Sequence, residues 1–152
     1  MKTPATPYHE RLSDVPVGWP TSEPPDTNAE GGVDRRARGL QTIHEITGAT
    51  GESVVASVRE LAPDLADWIV DFAYGDVASR QAIDKRTRQL AIIGGLTVLG
   101  HAQPQLKVHI QGALNVGCRP AEIVEVILQM SVFAGFPAAL NALTTAREAF
   151  AE

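Results

Sequence analysis

The chain has 152 residues, 44% hydrophobic and 20% charged, with a formal net charge of -5. That length suits one domain with a real core and leaves little room for two. Cys118 is the lone cysteine, which excludes an intrachain disulfide, a thiolate zinc site and a two-thiol redox centre, and the acidic balance argues against nucleic acid as a partner.

Six of the ten prolines fall before residue 26, among Ser, Thr and few large aliphatics. Residues 1–33 cannot bury enough apolar surface to offset their ordering entropy and read as a proline-rich arm. Lys2 and Arg11 against Glu10, Asp14, Glu23, Asp26 and Glu30 give this arm a net charge of -3, leaving -2 for a single domain over 34–152. Tyr8, Leu12, Val15, Val17 and Trp19 are available to lie across a neighbouring surface, such as that of another subunit. Met1 to Pro25 has neither the apolar core nor the cationic start of a secretory signal, so the expected compartment is the cytoplasm.

From Asp34 onward the pattern is helical. Val54, Val55, Val58 and Leu61 recur at helical spacing, and Pro63 then opens a helix carrying the stripe Leu65, Trp68, Ile69 and Phe72, with Gly75 as its expected end. Asp84 is the expected cap of a helix through Leu90, Ile93, Leu96 and Val98 to a stop near Gly100. The Gly94-Gly95 pair inside it lowers helix propensity by about 1 kcal/mol per glycine, which predicts a close backbone approach there. A helix from about Gln105 to Val116 ends at Gly117. Pro120 opens the next, with Glu122 in the capping-box position and Ile123, Val126, Ile127 and Met130 on one face. Gly135 stops it, and Pro137 starts a last helix with Leu140, Leu143 and Phe150. No alternating strand or Asn-Gly hairpin intervenes, so the body reads as all-α. The longest apolar stretch, Leu90 to Leu99, is broken by Gly94, Gly95 and Thr97 and falls short of the roughly 20 residues that span a bilayer, so no membrane partner is expected.

His109 shares a helical stripe with Leu106, Ile110 and Ala113, so its imidazole faces the interior or a cleft in it, either as a core histidine satisfied by a carbonyl or as a working group. His101 and His44 make no i, i+4 pair with it, and no metal site is expected. Asp76, Arg80, Asp84, Lys85, Arg86 and Arg88 cluster around the start of the helix after Gly75. Cations there oppose the helix dipole, a conflict that an anionic ligand on the arginines would resolve. Cys118, between Gly117 and Arg119, has no partnered base and does not read as a catalytic thiol. Trp68 and Phe133 read as core.

The segments Phe72-Ala-Tyr-Gly-Asp76, Asp84-Lys-Arg-Thr-Arg-Gln-Leu90, Leu106-Lys-Val-His-Ile-Gln-Gly-Ala-Leu114 and Phe133-Ala-Gly-Phe-Pro-Ala138, in that order and spacing, resemble the carboxymuconolactone decarboxylase family over roughly Arg38 to Phe150. The resemblance implies the small all-helical fold shared with alkyl hydroperoxidase D proteins, assembled as trimers or hexamers with sites near subunit contacts. The peroxidase branch places a Cys-x-x-Cys pair seven and four residues before the histidine that His109 resembles. Those positions are Ala102 and Gln105 here, which does not fit a thiol peroxidase.

The decarboxylase branch fits better. The resemblance to it implies aromatic catabolism and a small anionic lactone or carbonyl acid that loses CO2 and is reprotonated without a cofactor. It further implies His109 as proton-transfer residue and Arg80 and Arg88 as anion contacts, with His44 and Asp76 as secondary candidates. Departures from the family motif at Asp76, Ala78 and Arg80-Gln81-Ala82 reshape the expected pocket, and Arg119 stands where a Ser or Thr cap is usual. They leave open another lactone or polyketide-like substrate turned over by isomerisation, cyclisation or hydrolysis. A non-catalytic oligomeric ligand-binding protein is the alternative from a different class.

Overall fold

Asp34 accepts a hydrogen bond from the Arg36 amide and starts α1, Arg35–Leu61, the first element of the computed structural model, which describes residues 34–152. The arm expected over residues 1–33 lies outside the described residues. Helix α1 breaks at Gly48, whose φ of 54° and ψ of -145° suit a residue without a Cβ. Pro63 opens α2, Pro63–Trp68, which runs on as a π-helical segment, Ile69–Ala78. Then come α3, Lys85–Leu99, α4, Gln103–Asn115, and α5, Pro120–Phe150. The all-α expectation holds, and the described residues contain no strand.

The expected caps explain most boundaries. Asp84 accepts from the Thr87 amide at 2.8 Å, and Gly100 closes α3 in the left-handed region at φ 72°. Glu122 accepts from the Arg119 amide at 2.7 Å, completing the capping box of α5. Gly135, at φ 81°, breaks α5 where Pro137 removes a donor, so its two halves match the two helices expected.

Four expectations are corrected in the π-helical segment, α3 and α5. Gly75 does not end a helix. It is buried inside the π-helix, where a Cβ would come within 2.8 Å of the Arg35 carbonyl oxygen. Of the expected stripe only Ile69 packs against the core, while Leu65, Trp68 and Phe72 are exposed. Ala66, Val70 and Gly75, spaced by four and then five residues, point inward, and Trp68 is left 64% exposed. Phe133 on α5 is 71% exposed, so neither aromatic is core. Of the Gly94-Gly95 pair, only Gly94 packs, at ordinary distance from Met130 and Val126, and Gly95 has nothing within 4 Å.

Two apolar clusters result. Ile93 of α3, Leu106, Ile110 and Ala113 of α4, and Ile123, Ile127, Ala142 and Ala146 of α5 form the larger. Ile43 and Val55 of α1, Ala66 of α2 and Val70 of the π-helix form the smaller. Helix α1 joins them by packing Ile46 on Gly112 of α4, where Asn115 Nδ2 donates to the Ile46 carbonyl at 3.0 Å. Helix α5 is long and apolar enough to cross a membrane, so Leu90–Leu99 is not the longest apolar stretch. The break at Gly135 interrupts it, and one face fills the core between α3 and α4.

Candidate active site

The N-terminal half of α1 is clamped to the π-helix by arginines. Arg35 holds the Asp76 carboxylate, Nε at 2.8 Å, and Arg36 holds Asp71 through two bonds of 3.1 and 2.9 Å. Arg38 Nε donates to the Gly75 carbonyl at 2.8 Å. At Gly39 the backbones touch so closely that a Cβ would lie 2.1 Å from the Val70 carbonyl oxygen. This clamp fixes the π-helix against α1 and so fixes one wall of a cavity of about 340 Å³.

The cavity lies between Gly51, Val54 and Val55 of α1, Ile69 and Tyr74 of the π-helix, and Pro104, Gln105, Val108 and His109 of α4. Three of its lining side chains are polar. Tyr74 lies beside Thr47, whose hydroxyl donates to the Ile43 carbonyl at 3.0 Å. Burial pushes its phenol pKa up, which keeps it neutral. Gln105 is exposed at the rim.

His109 is the third. Its Nδ1 lies 3.0 Å from Gln89 Oε1, and Gln89, 1% exposed, reaches in from α3 behind the ring. An amide oxygen accepts only, so Nδ1 carries the proton and Nε2 is the nitrogen left for a ligand. Burial holds the imidazole pKa below its ordinary 6.5, and the ring is neutral at pH 7.

The other expected site residues lie elsewhere. Asp76 is spent on Arg35 and Arg38, and does not line the cavity. His44 is exposed on α1, its Nδ1 3.0 Å from Glu52 Oε1. Arg88 donates to the Arg80 carbonyl at 3.0 Å, which ties the loop before α3 to the helix, and its Nε is buried without a hydrogen-bond partner. Neither arginine lines the cavity.

The dipole conflict that suggested an anionic ligand is settled within the chain. Lys85 pairs with Glu45, Arg86 binds both Glu122 oxygens at 3.0 Å, and Asp84 supplies the negative cap. Cys118 is buried beside the Arg86 carbonyl, and burial pushes its thiol pKa up. Among the described residues no cluster of three or more His, Cys, Asp or Glu side chains could hold a metal ion.

Gln89 and Tyr74 had been assigned no role from the sequence. The available signal for Gln89 was a polar residue spaced by four from Ile93 and Thr97 on the inward face of α3, where all three are buried. Tyr74 carried no comparable signal, because the π-helical turn decides which way it faces.

Residues 63–148 match the model of the carboxymuconolactone decarboxylase family. The chain is 32% identical to 4-carboxymuconolactone decarboxylase of Acinetobacter baylyi over 117 residues, 76% of this chain and 87% of that protein. It is 31% identical to nitrosuccinic acid decarboxylase npaB of Metarhizium robertsii over 108 residues, 69% of this chain and 73% of that protein. An uncharacterized 15.0 kDa protein from the nqo9-nqo10 intergenic region of Paracoccus denitrificans is 37% identical over 97 residues, 63% of this chain and 72% of that protein.

Proposed function

Because the chain belongs to the carboxymuconolactone decarboxylase family, we propose that it is a cofactor-independent carboxy-lyase acting on a small lactone or carbonyl acid, with His109 as the proton-transfer residue. Two relatives named as decarboxylases, one for 4-carboxymuconolactone and one for nitrosuccinic acid, support the reaction class across different substrates. The observation that carries the site assignment is the Gln89–His109 pair facing an apolar cavity.

The chemistry follows from that pair. A carboxylate bound in an apolar cavity loses its hydration, which favours the transition state in which its charge spreads into a carbonyl β to it. The same bound anion raises the proton affinity of His109, which takes a proton from solvent at Nε2. The C–C bond breaks, CO2 departs, and its bonding electrons form an enolate. Nε2–H then protonates the enolate carbon and the ring returns to its neutral form. Gln89 Oε1 accepts from Nδ1–H in both protonation states, so the whole proton cycle takes place on Nε2. The substrate anion and one proton become the protonated product and CO2.

Arg80 and Arg88 are not part of this reading, since neither lines the cavity. Exposed apolar side chains on α2, the π-helix and α5, including Trp68, Phe72, Phe133 and Phe136, support a homo-oligomer in which other copies cover them. The test is CO2 release from a panel of small lactone and β-keto acids by the wild type and by His109→Gln. Release that depends on His109 is expected. Ligand-dependent stabilisation without CO2 from any acid would make the chain a binding protein instead.

A further inference from the structure

The decarboxylation reading leaves the substrate class open, and the cavity wall narrows it. Resting on that reading, we propose that the site selects acids with a single carboxylate, the one that leaves, carried on the carbon next to a carbonyl of an apolar body. The cavity, about 340 Å³, lies at the low end of the small-molecule range, and its wall is mostly Val54, Val55, Ile69 and Val108 with Pro104 and Gly51.

Among the described residues no lysine or arginine lines it. The cations of the surrounding elements have protein partners: Arg35 with Asp76, Arg59 with Asp67, Arg86 with Glu122, Lys85 with Glu45, Lys107 with Glu152, and Arg88 with the Arg80 carbonyl. His109 directs Nδ1–H to Gln89, which leaves Nε2, the Tyr74 hydroxyl and the Gln105 amide as the polar groups for a ligand, none of them a fixed cation.

A carboxylate retained through the reaction would sit against this wall with its charge unpaired, in ground state and product alike. The leaving carboxylate meets the same wall differently, because its charge moves out of the carboxyl group as the C–C bond breaks. An apolar wall without a cation therefore penalises a second carboxylate and favours departure of the first.

The experiment measures binding without turnover. Two γ-butyrolactones bearing a carboxylate on the β-carbon, one carbon too far from the carbonyl for loss of CO2, are compared by titration calorimetry, one carrying in addition a butyl chain and one a chain of equal length ending in a second carboxylate. The butyl lactone is expected to bind roughly tenfold or more tightly, as the penalty on an unpaired buried charge requires. Val54→Arg, at a half-exposed position of the wall, is expected to narrow or invert that preference. Equal or tighter binding of the lactone with two carboxylates to the wild type overturns the proposal, and so does failure of both to bind. Failure of the decarboxylase reading appears separately, as binding preference intact with no CO2 from the corresponding acids.

Discussion

Gln89→Glu is the substitution that probes the site most finely, because it changes charge and almost nothing else beside His109. The side chain keeps its length, and an oxygen remains 3.0 Å from Nδ1, now carrying negative charge. With charge centres about 4 Å apart and an effective dielectric constant of about 20, the attraction for the imidazolium is about 4 kcal/mol. At 1.36 kcal/mol per unit that would raise the His109 pKa by about 3 units. Desolvation of the new carboxylate takes back part of this, so a rise of roughly 1–3 units is expected. The assay is an NMR titration of the ¹⁵N-labelled imidazole. Wild-type His109 titrates below its ordinary 6.5 and the variant titrates at least one unit higher, by the shift just derived. In kcat/KM, which needs the imidazolium and the substrate anion, the alkaline limb moves up by the same amount. An unchanged titration would refute the pairing of Gln89 with His109 and the assignment of the proton cycle to Nε2.

Further expectations concern stability. Above pH 6.5 His109 is neutral both folded and unfolded; below it the unfolded chain binds a proton first, so stability falls until the depressed folded pKa is passed. His109→Gln is expected to flatten that part of the curve, measured by urea denaturation between pH 7 and 5. Bonds from the Arg119 amide and side chain, with Arg86 adding to them, hold the Glu122 carboxyl down to about 2, so its stabilising effect is complete above 4.5 and lost as pH falls through about 2. Glu122→Gln should accordingly lower Tm at pH 7, with the difference from wild type shrinking in acid. Gly39→Ala forces a Cβ to within 2.1 Å of the Val70 carbonyl oxygen and should lower stability by at least about 1–3 kcal/mol. Gly95→Ala, with open space around it in the protomer, should add about 1 kcal/mol. Loss of stability there would place Gly95 in a contact between copies.

Features fixed by neighbouring residues were legible in the sequence. Asp84, Pro120 with Glu122, and Gly135 with Pro137 mark helix ends through local backbone chemistry, and each mark holds. The inward stripe of α2 was misread because the period changes from four to five between Ala66, Val70 and Gly75, and nothing local announces a π-helix. The role of the cations at α3 was misread for a different reason. Arg86 and Glu122 are 36 positions apart, and Lys85 and Glu45 are 40 apart, so only the tertiary fold shows that they are paired. His109 was legible as an inward histidine, but its partner Gln89 comes from another helix, and that partner decides which nitrogen is left for a ligand.

The most direct measurement of the central claim is the fate of the proton. A substrate acid whose product carbon is prochiral is turned over in D₂O and the product is examined by mass spectrometry and NMR. Delivery from His109 Nε2 inside the cavity predicts one deuterium per CO2 released, placed on a single face, with that stereospecificity lost in His109→Gln. Deuterium on both faces with the wild type, or an unchanged stereochemical outcome in His109→Gln, would contradict the account.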